Sequence, residues 1–340
     1  MEKQTQENNA PQKEDKWGSF FGKYNWLISA IFGVLTILSL LGTVVTYTLK
    51  LEDGTKVSYD IHLWDYFSNR FAFNWTMYAT LGIIVLGIVF ALLHMVHRGF
   101  DSGAGMTFIL VIPMLALTRE FFSNNDIEYL KSVSFGWGSA CAIAFSIAAA
   151  LFSISSSFSD KPIKTRDIAE DGILIAAAFI LNLIKIPMTT GGGSVNFQML
   201  PLFLIALRHG PSHGLVCGGI IYGLITCLTD GWGFATYPFD YLIGFGSVMI
   251  IGYFKKFILS EQQNTYNVKG EVFIFIACAI ATAIRFVGST ASSMIVYEYP
   301  LKAAALYNAI YIPVSGAIAT ATIMLMYGPL IKINQRYPVR

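Results

Sequence analysis

Residues 75–95 read WTMYATLGIIVLGIVFALLHM, an uncharged apolar stretch long enough to cross a bilayer as a single helix. About 20 helical residues rising ~1.5 Å each match the ~30 Å hydrocarbon core, so other runs near that length can be counted in the same way. Residues 26–48, 106–117 and 133–152 join it in the first half, and 172–187, 195–207, 214–228, 241–254, 272–288 and 303–326 follow in the second. The composition agrees: 54% of residues are hydrophobic and 13% charged, with a mean hydropathy of +0.56, against roughly 25% charged in a soluble domain. The expected fold is an all-α integral membrane protein of about ten transmembrane helices. Runs 106–117 and 195–207 are short for a span, which leaves a tilted, re-entrant or locally thinned arrangement open at each.

The first 25 residues are polar and charged, and the apolar run after them ends in no small-residue cleavage site, so they read as a retained cytosolic tail. Lys and Arg concentrate in cytoplasmic loops. With ten alternating spans and the N-terminus inside, 15 of the 23 basic residues fall on the cytosolic side. Both termini are thus expected in the cytosol. The polar segment 153–171, SISSSFSDKPIKTRDIAED, separates four spans from six. It suggests a division into a tail (1–25), a four-helix membrane region (26–160) and a six-helix region (161–340). The halves show no obvious internal repeat, so an inverted-repeat transporter is not suggested.

Several chemistries find no support. The net charge of +2 offers no dense basic patch for nucleic acid. Cys141, Cys217, Cys227 and Cys278 lie inside apolar runs without zinc-ligand spacing and read as small core residues. The chain lacks G-x-x-x-x-G-K-[ST], so any ATP hydrolysis belongs to another subunit. His209 and His213 stand four apart, but Gly210-Pro211 breaks a helix between them, which favours a cytosolic turn over a metal site. His94 and His97 read as interfacial anchors. No metal, cofactor or catalytic set is expected.

Gly214, Gly218, Gly219 and Gly223 place small residues along one helix and point to close helix packing. Gly172 and Ala176 form a similar face that could meet another subunit. Richer chemistry lies in residues 230–241, DGWGFATYPFDY, where Asp240 stands just inside apolar sequence beside Trp232, Tyr237 and Tyr241. Intramembrane carboxylates are costly and usually functional, and aromatic rings around one suit a flat cation. An interfacial aromatic belt with Asp240 as a helix cap fits the same residues. Arg285, Tyr297, Glu298, Tyr299, Tyr307 and Asn308 belong to the same outer end, so a ligand would enter from outside.

The run GGGSVNFQMLP (191–201), continuing through ALRHGP (206–211) to Tyr222-Gly223 and Tyr237-Pro-Phe-Asp240-Tyr241, resembles the substrate-binding S components of energy-coupling-factor (ECF) transporters, nearest their thiamin-specific branch. The resemblance covers about residues 168–332 and implies a six-helix bundle in a bacterial cell membrane. By it, Asp240 and Tyr241 take the place of an acidic–tyrosine pair that contacts the vitamin, with Asp for the usual Glu, and Tyr307 that of a ligand-contacting tyrosine. Departures from the family pattern place Gly192 and Ser289 near a family tryptophan and histidine. Tyr297 replaces a second tryptophan, and Ile312 falls near an asparagine, with Asn308 one turn away. The resemblance also implies partners: a membrane-embedded coupling protein, met through a small-residue face at Gly172 and Ala176, and two ABC-type ATPases. Region 26–160 has no counterpart in it. The resulting reading is a vitamin-binding transport subunit that performs no chemistry itself. An S component for another vitamin, a membrane-embedded enzyme using Asp240, Glu298 and Arg285, and a structural or assembly protein are the competing readings.

Overall fold

A computed structural model of the chain describes residues 16–68, 75–124, 129–158, 164–188, 193–259 and 266–338. Residues 1–15 of the tail, 159–163 in the middle of the boundary segment, and Gly191 and Gly192 of the quoted run lie outside the described residues.

Ten helical rods occupy the ten apolar runs. In the first half they are α1 (Lys16–Ser39), α2 (Trp75–Leu92), α3 (Phe100–Asn124) and α4 (Trp137–Phe158). In the second half they are α5 (Thr165–Leu183), α6 (Met199–His209), α7 (Pro211–Asp230), α8 (Phe234–Ile258), α9 (Val268–Val296) and α10 (Leu301–Leu325), and a further helix, α11 (Tyr327–Arg336), follows them. Among the described residues, seven helices are long and apolar enough to cross a membrane: α2, α3, α4 and α7 to α10. The chain is a multi-pass membrane protein. The three remaining rods are α1, α5 and α6, of which α1 is apolar over Lys23–Ser39 and α6 has 11 residues. α5 carries Arg166, Asp167, Glu170 and Asp171 in its first two turns.

Several runs divide where the sequence reading kept them whole, two of them in the first half. Run 26–48 ends as helix at Ser39 and continues as strand β1 (Thr43–Lys50), and run 133–152 begins inside strand β3 (Leu130–Phe135). With β2 (Lys56–His62) they make an antiparallel sheet in the order β2-β1-β3. The sequence TVVTYTLK is rich in β-branched and aromatic residues, which favour a pleated surface. The turn before it is tight, because a Cβ at Gly42 would lie 2.3 Å from the Trp137 ring. Run 106–117, by contrast, is the middle of a longer helix, whereas run 195–207 is short, a strand β5 (Ser194–Asn196) leading into α6.

α1 to α4 share one buried cluster that includes Leu40, Met77, Ile84, Phe108, Val111 and Leu115. Apolar burial gives little drive between helices in lipid, so polar and small side chains carry specificity there. On α1 and α4 these are Ser29 with Ser153 (3.0 Å) and Asn25 Nδ2 donating to Ser155 Oγ (3.0 Å). A second cluster fills the six-helix bundle, with Leu202, Phe203, Tyr222, Leu242, Phe245, Val248, Ala277, Ala281, Ala319 and Ile323. α3 joins the two: Met106, Ile109 and Leu110 pack on the second cluster, and Ser102 bonds Ser212 at 2.9 Å. Tyr253 adds a 2.7 Å hydrogen bond to the Gly99 carbonyl.

The glycines of α7 pack as their spacing predicts. A Cβ at Gly219 would lie 2.9 Å from Gly246 Cα and 3.1 Å from the Leu242 carbonyl oxygen, and one at Gly218 2.8 Å from the Phe245 carbonyl oxygen. These contacts are with backbone, which cannot rotate away. Both helices carry π-helical turns at this crossing, Gly214–Tyr222 and Tyr237–Ile243, a local widening that often accompanies functional positions. Gly219→Val is therefore expected to lower stability by about 1–3 kcal/mol, read as a reduced melting temperature in detergent. Gly172→Ala, where nothing lies within 4 Å of the added carbon, should leave it unchanged.

Candidate functional site

Six antiparallel rods must alternate direction. The end of α5, the starts of α6, α8 and α10, and the ends of α7 and α9 therefore meet at one pole of the bundle. There they enclose a cavity of about 420 Å³, within the ~300–1,000 Å³ usual for small-ligand sites. The hairpin β4 (Lys185–Pro187) with β5 covers one side, contributing Lys185, Ser194 and Asn196 to the wall.

Asp240 enters the cavity from the π-helical turn of α8, which begins behind Pro238. Its carboxylate accepts a hydrogen bond from the Ser289 hydroxyl of α9. Arg285, one turn earlier on α9, is buried and holds its guanidinium 4.6 Å from the centre of the Phe245 ring. Its Nε and Nη1 find no hydrogen-bond partner among the described residues. A second carboxylate, Asp230 at the end of α7, accepts from the Tyr241 hydroxyl at 3.3 Å. The open rim is aromatic. Trp232 meets Tyr297 edge to face at 6.3 Å, and Tyr297 lies 6.2 Å from Tyr299. Across the cavity Tyr307 contacts Tyr311 at 5.6 Å. Asn308 donates to Ser293 Oγ (3.1 Å) and accepts from the Tyr311 hydroxyl (2.8 Å), which fixes its amide.

Of the residues singled out in the sequence, the fold brings Asp240, Tyr241, Trp232, Arg285, Tyr297, Tyr299, Tyr307 and Asn308 to this one cavity. Tyr237 and Glu298 do not line it. Tyr237 is buried behind the wall, stacked on Phe234 at 5.2 Å, with its hydroxyl donating to the Gly219 carbonyl at 3.2 Å. Glu298 sits in the tight turn after α9 with a left-handed φ of 55°. Gly172 and Ala176 are exposed on α5, beside Ile173 and Ile180.

The sequence reading missed Asp230, Asn182, Asn196 and Gln198 as lining residues. Asn182 and Asn196 hydrogen-bond each other at 3.2 Å, and Gln198 accepts from Tyr222 at 2.5 Å. Asn182 carried a legible signal, an amide inside an apolar run. Gln198 and Asn196 lay inside the quoted run but showed no feature that marks a wall position.

Two carboxylates, a buried guanidinium whose Nε and Nη1 have no hydrogen-bond partner among the described residues, and a ring of aromatic side chains can hold a flat ligand bearing positive charge at one end and hydrogen-bonding groups at the other. Tyr237 tests the boundary of this site. Tyr237→Phe should cost about 1 kcal/mol of stability through the lost bond to Gly219 and leave ligand affinity unchanged, whereas Tyr241→Phe should weaken affinity, as titration of both purified variants would show.

Comparison with known proteins agrees in extent and kind. A family model described as thiamine transporter protein matches residues 168–335. The thiamine transporter ThiT of Bacillus subtilis (strain 168) is 28% identical over 177 residues, which cover 46% of this chain and 88% of that protein. No solved structure matches. Residues 168–335, just under half of the chain, are thus similar to the thiamine transporter protein family.

Proposed function

We propose that this chain is the substrate-binding membrane subunit of an ECF-type importer, and that thiamin or a close relative is its cargo. The observation that carries the reading is Asp240, seated in an aromatic-walled cavity within the family-matched region. Thiamin pairs a permanently cationic ring with a flat aminopyrimidine. Asp240 and Asp230 supply countercharge, Trp232, Tyr297 and Tyr307 supply faces for stacking, and Asn308 and Tyr241 supply hydrogen bonds. The chain itself makes and breaks no bonds in this role. A different vitamin, or a structural role without a ligand, would show in a single experiment: purify the chain from its native membrane and identify what co-purifies.

Transport requires partners that this chain lacks. In this reading the exposed strip of Gly172, Ile173, Ala176 and Ile180 docks a membrane-embedded coupling protein, because small residues permit close helix approach. Two ABC-type ATPases then drive reorientation. The division at residues 1–25, 26–160 and 161–340 stands as part of the proposal, with the first four helices bracing the bundle along α3.

The cavity opens to the outside of a bacterial cell membrane and both termini lie in the cytosol. Cysteines placed at Lys56 and Trp232 should react with an impermeant thiol reagent on intact cells, and one at Lys255 should not. Labelling at 255 without labelling at 56 would invert the orientation. For the ligand, Asp240→Asn keeps an oxygen to accept from Ser289 and removes the charge. Losing one member of a partly desolvated ion pair costs on the order of 2–4 kcal/mol, so thiamin affinity should fall roughly 30- to 1,000-fold with expression and melting temperature near the parent's. Equal affinity in parent and variant would refute the charge-recognition role.

A further inference from the structure

At the pole opposite the cavity, the start of α5 meets the corner between α6 and α7. The corner exists because Gly210 adopts φ of 99° and Pro211 starts the next helix. His209 and His213, which the sequence suggests as parts of a cytosolic turn, pack edge to face on each other at 5.0 Å, beside Asp171 of α5. His209 Nδ1 stands 2.7 Å from Asp171 Oδ1, and His213 Nδ1 stands 2.5 Å from Asp171 Oδ2.

We propose that Asp171, His209 and His213 form a binding site for a divalent transition-metal ion of the Zn²⁺ class. Three observations converge on it. First, one donor atom from each residue can be chosen such that all lie within 4.8 Å of one another. Second, Asp171 Oδ1 and His209 Nδ1 are buried and, although close, are not aligned as a hydrogen bond, so each lacks a partner among the described residues. Two acceptor-capable atoms this close, with no hydrogen bond between them, suit a shared cation. Third, the outer shell is in place. The far nitrogen of His209 faces Glu170 Oε2 at 3.4 Å, and Glu170 is itself held by a two-pronged bond from Arg208, with Nη2 to Oε2 at 3.0 Å. A carboxylate behind a ligating imidazole is the usual arrangement for fixing its ring and tautomer.

Zn²⁺ holds imidazole nitrogen and carboxylate oxygen at ~2.0–2.2 Å in a tetrahedral site, which sets neighbouring ligand atoms roughly 3.4 Å apart, so the 2.5 and 2.7 Å contacts open to admit the ion. With three protein donors, water fills the fourth position, as in open three-ligand zinc sites. His213 retains 15% side-chain exposure, which leaves a path of entry. The bound ion would clamp α5 to the α6–α7 corner one residue before Gly172. It would also reach the first half of the chain, where the Phe158 ring packs on His213 at 5.1 Å.

The test uses the full chain purified in detergent without a polyhistidine tag, stripped with chelator and titrated with Co²⁺ and then Zn²⁺. The expected result is one Co²⁺ per chain with the visible absorption of a low-symmetry four-coordinate site, displaced stoichiometrically by Zn²⁺, and a melting temperature raised by Zn²⁺. Glu170→Gln, a positioning change, should keep the stoichiometry and weaken affinity about 10- to 100-fold. His213→Ala should abolish the absorption. Should that variant unfold, Asp171→Asn provides the same arm. A parent chain that takes up no stoichiometric metal, or a folded His213→Ala that binds Co²⁺ as the parent does, would overturn the proposal and leave the three residues a charge-paired structural knot.

Discussion

Asp240 carries a carboxylate into a helix that is otherwise apolar, and the free energy needed to keep it there organises what surrounds it. A charge taken from water costs several kcal/mol unless it is hydrogen-bonded or meets a counter-ion. Ser289 supplies one hydrogen bond, and the guanidinium of Arg285 lies on the neighbouring helix wall. The remaining valence of both groups faces the cavity. A site held in this way is poised for a ligand that completes it, because the desolvation is already met by the fold and not by the binding event.

Placing those groups depends on how closely α7 and α8 approach. The glycine positions of α7 allow the backbone of α8 to lie against it near Leu242, Phe245 and Gly246. The π-helical turn at Tyr237–Ile243 then rotates Asp240 and Tyr241 toward the cavity while Tyr237 points into the wall. A side chain at Gly218 or Gly219 would separate the helices and move both site residues together. Packing and recognition are therefore coupled through the same few ångströms of interhelix distance.

The two poles of the bundle differ in chemistry for a related reason. At the cavity pole, charges face a space large enough for an organic ligand. At the opposite pole, Glu170, Asp171, Arg208, His209 and His213 close on one another around the corner at Gly210. α3 spans the height of both, which ties the first four helices to the six-helix bundle through Met106, Leu110 and Ser102. The family match starts at residue 168 and so leaves this brace outside it.

Much of this was legible in the sequence, and what was not has a common cause. Helix-length apolar runs locate the rods, because a backbone in hydrocarbon has to satisfy its own hydrogen bonds and a helix does so locally. The intramembrane carboxylate at Asp240 and the aromatic residues near it marked the candidate site for the same local reason: each is costly or distinctive at its own position. The strands at Thr43–Lys50 and Leu130–Phe135 were hidden, since an apolar run gives no sign of whether its hydrogen bonds close within the segment or with a partner 81 to 90 residues away. The chemistry of the residues alone did not separate Tyr237 from Tyr241, although the family resemblance favoured Tyr241; in the fold the π-helical turn places Tyr241 in the cavity wall and Tyr237 behind it. Asp171 could be joined to His209 and His213 only by folding, because 38 and 42 positions of chain separate groups that end within hydrogen-bonding distance. The sequence by itself determined which segments leave water and which side chains are too expensive to bury unpaired. The tertiary structure alone decided which of those side chains meet, because pairing depends on the distance between helices, and no local pattern encodes that distance.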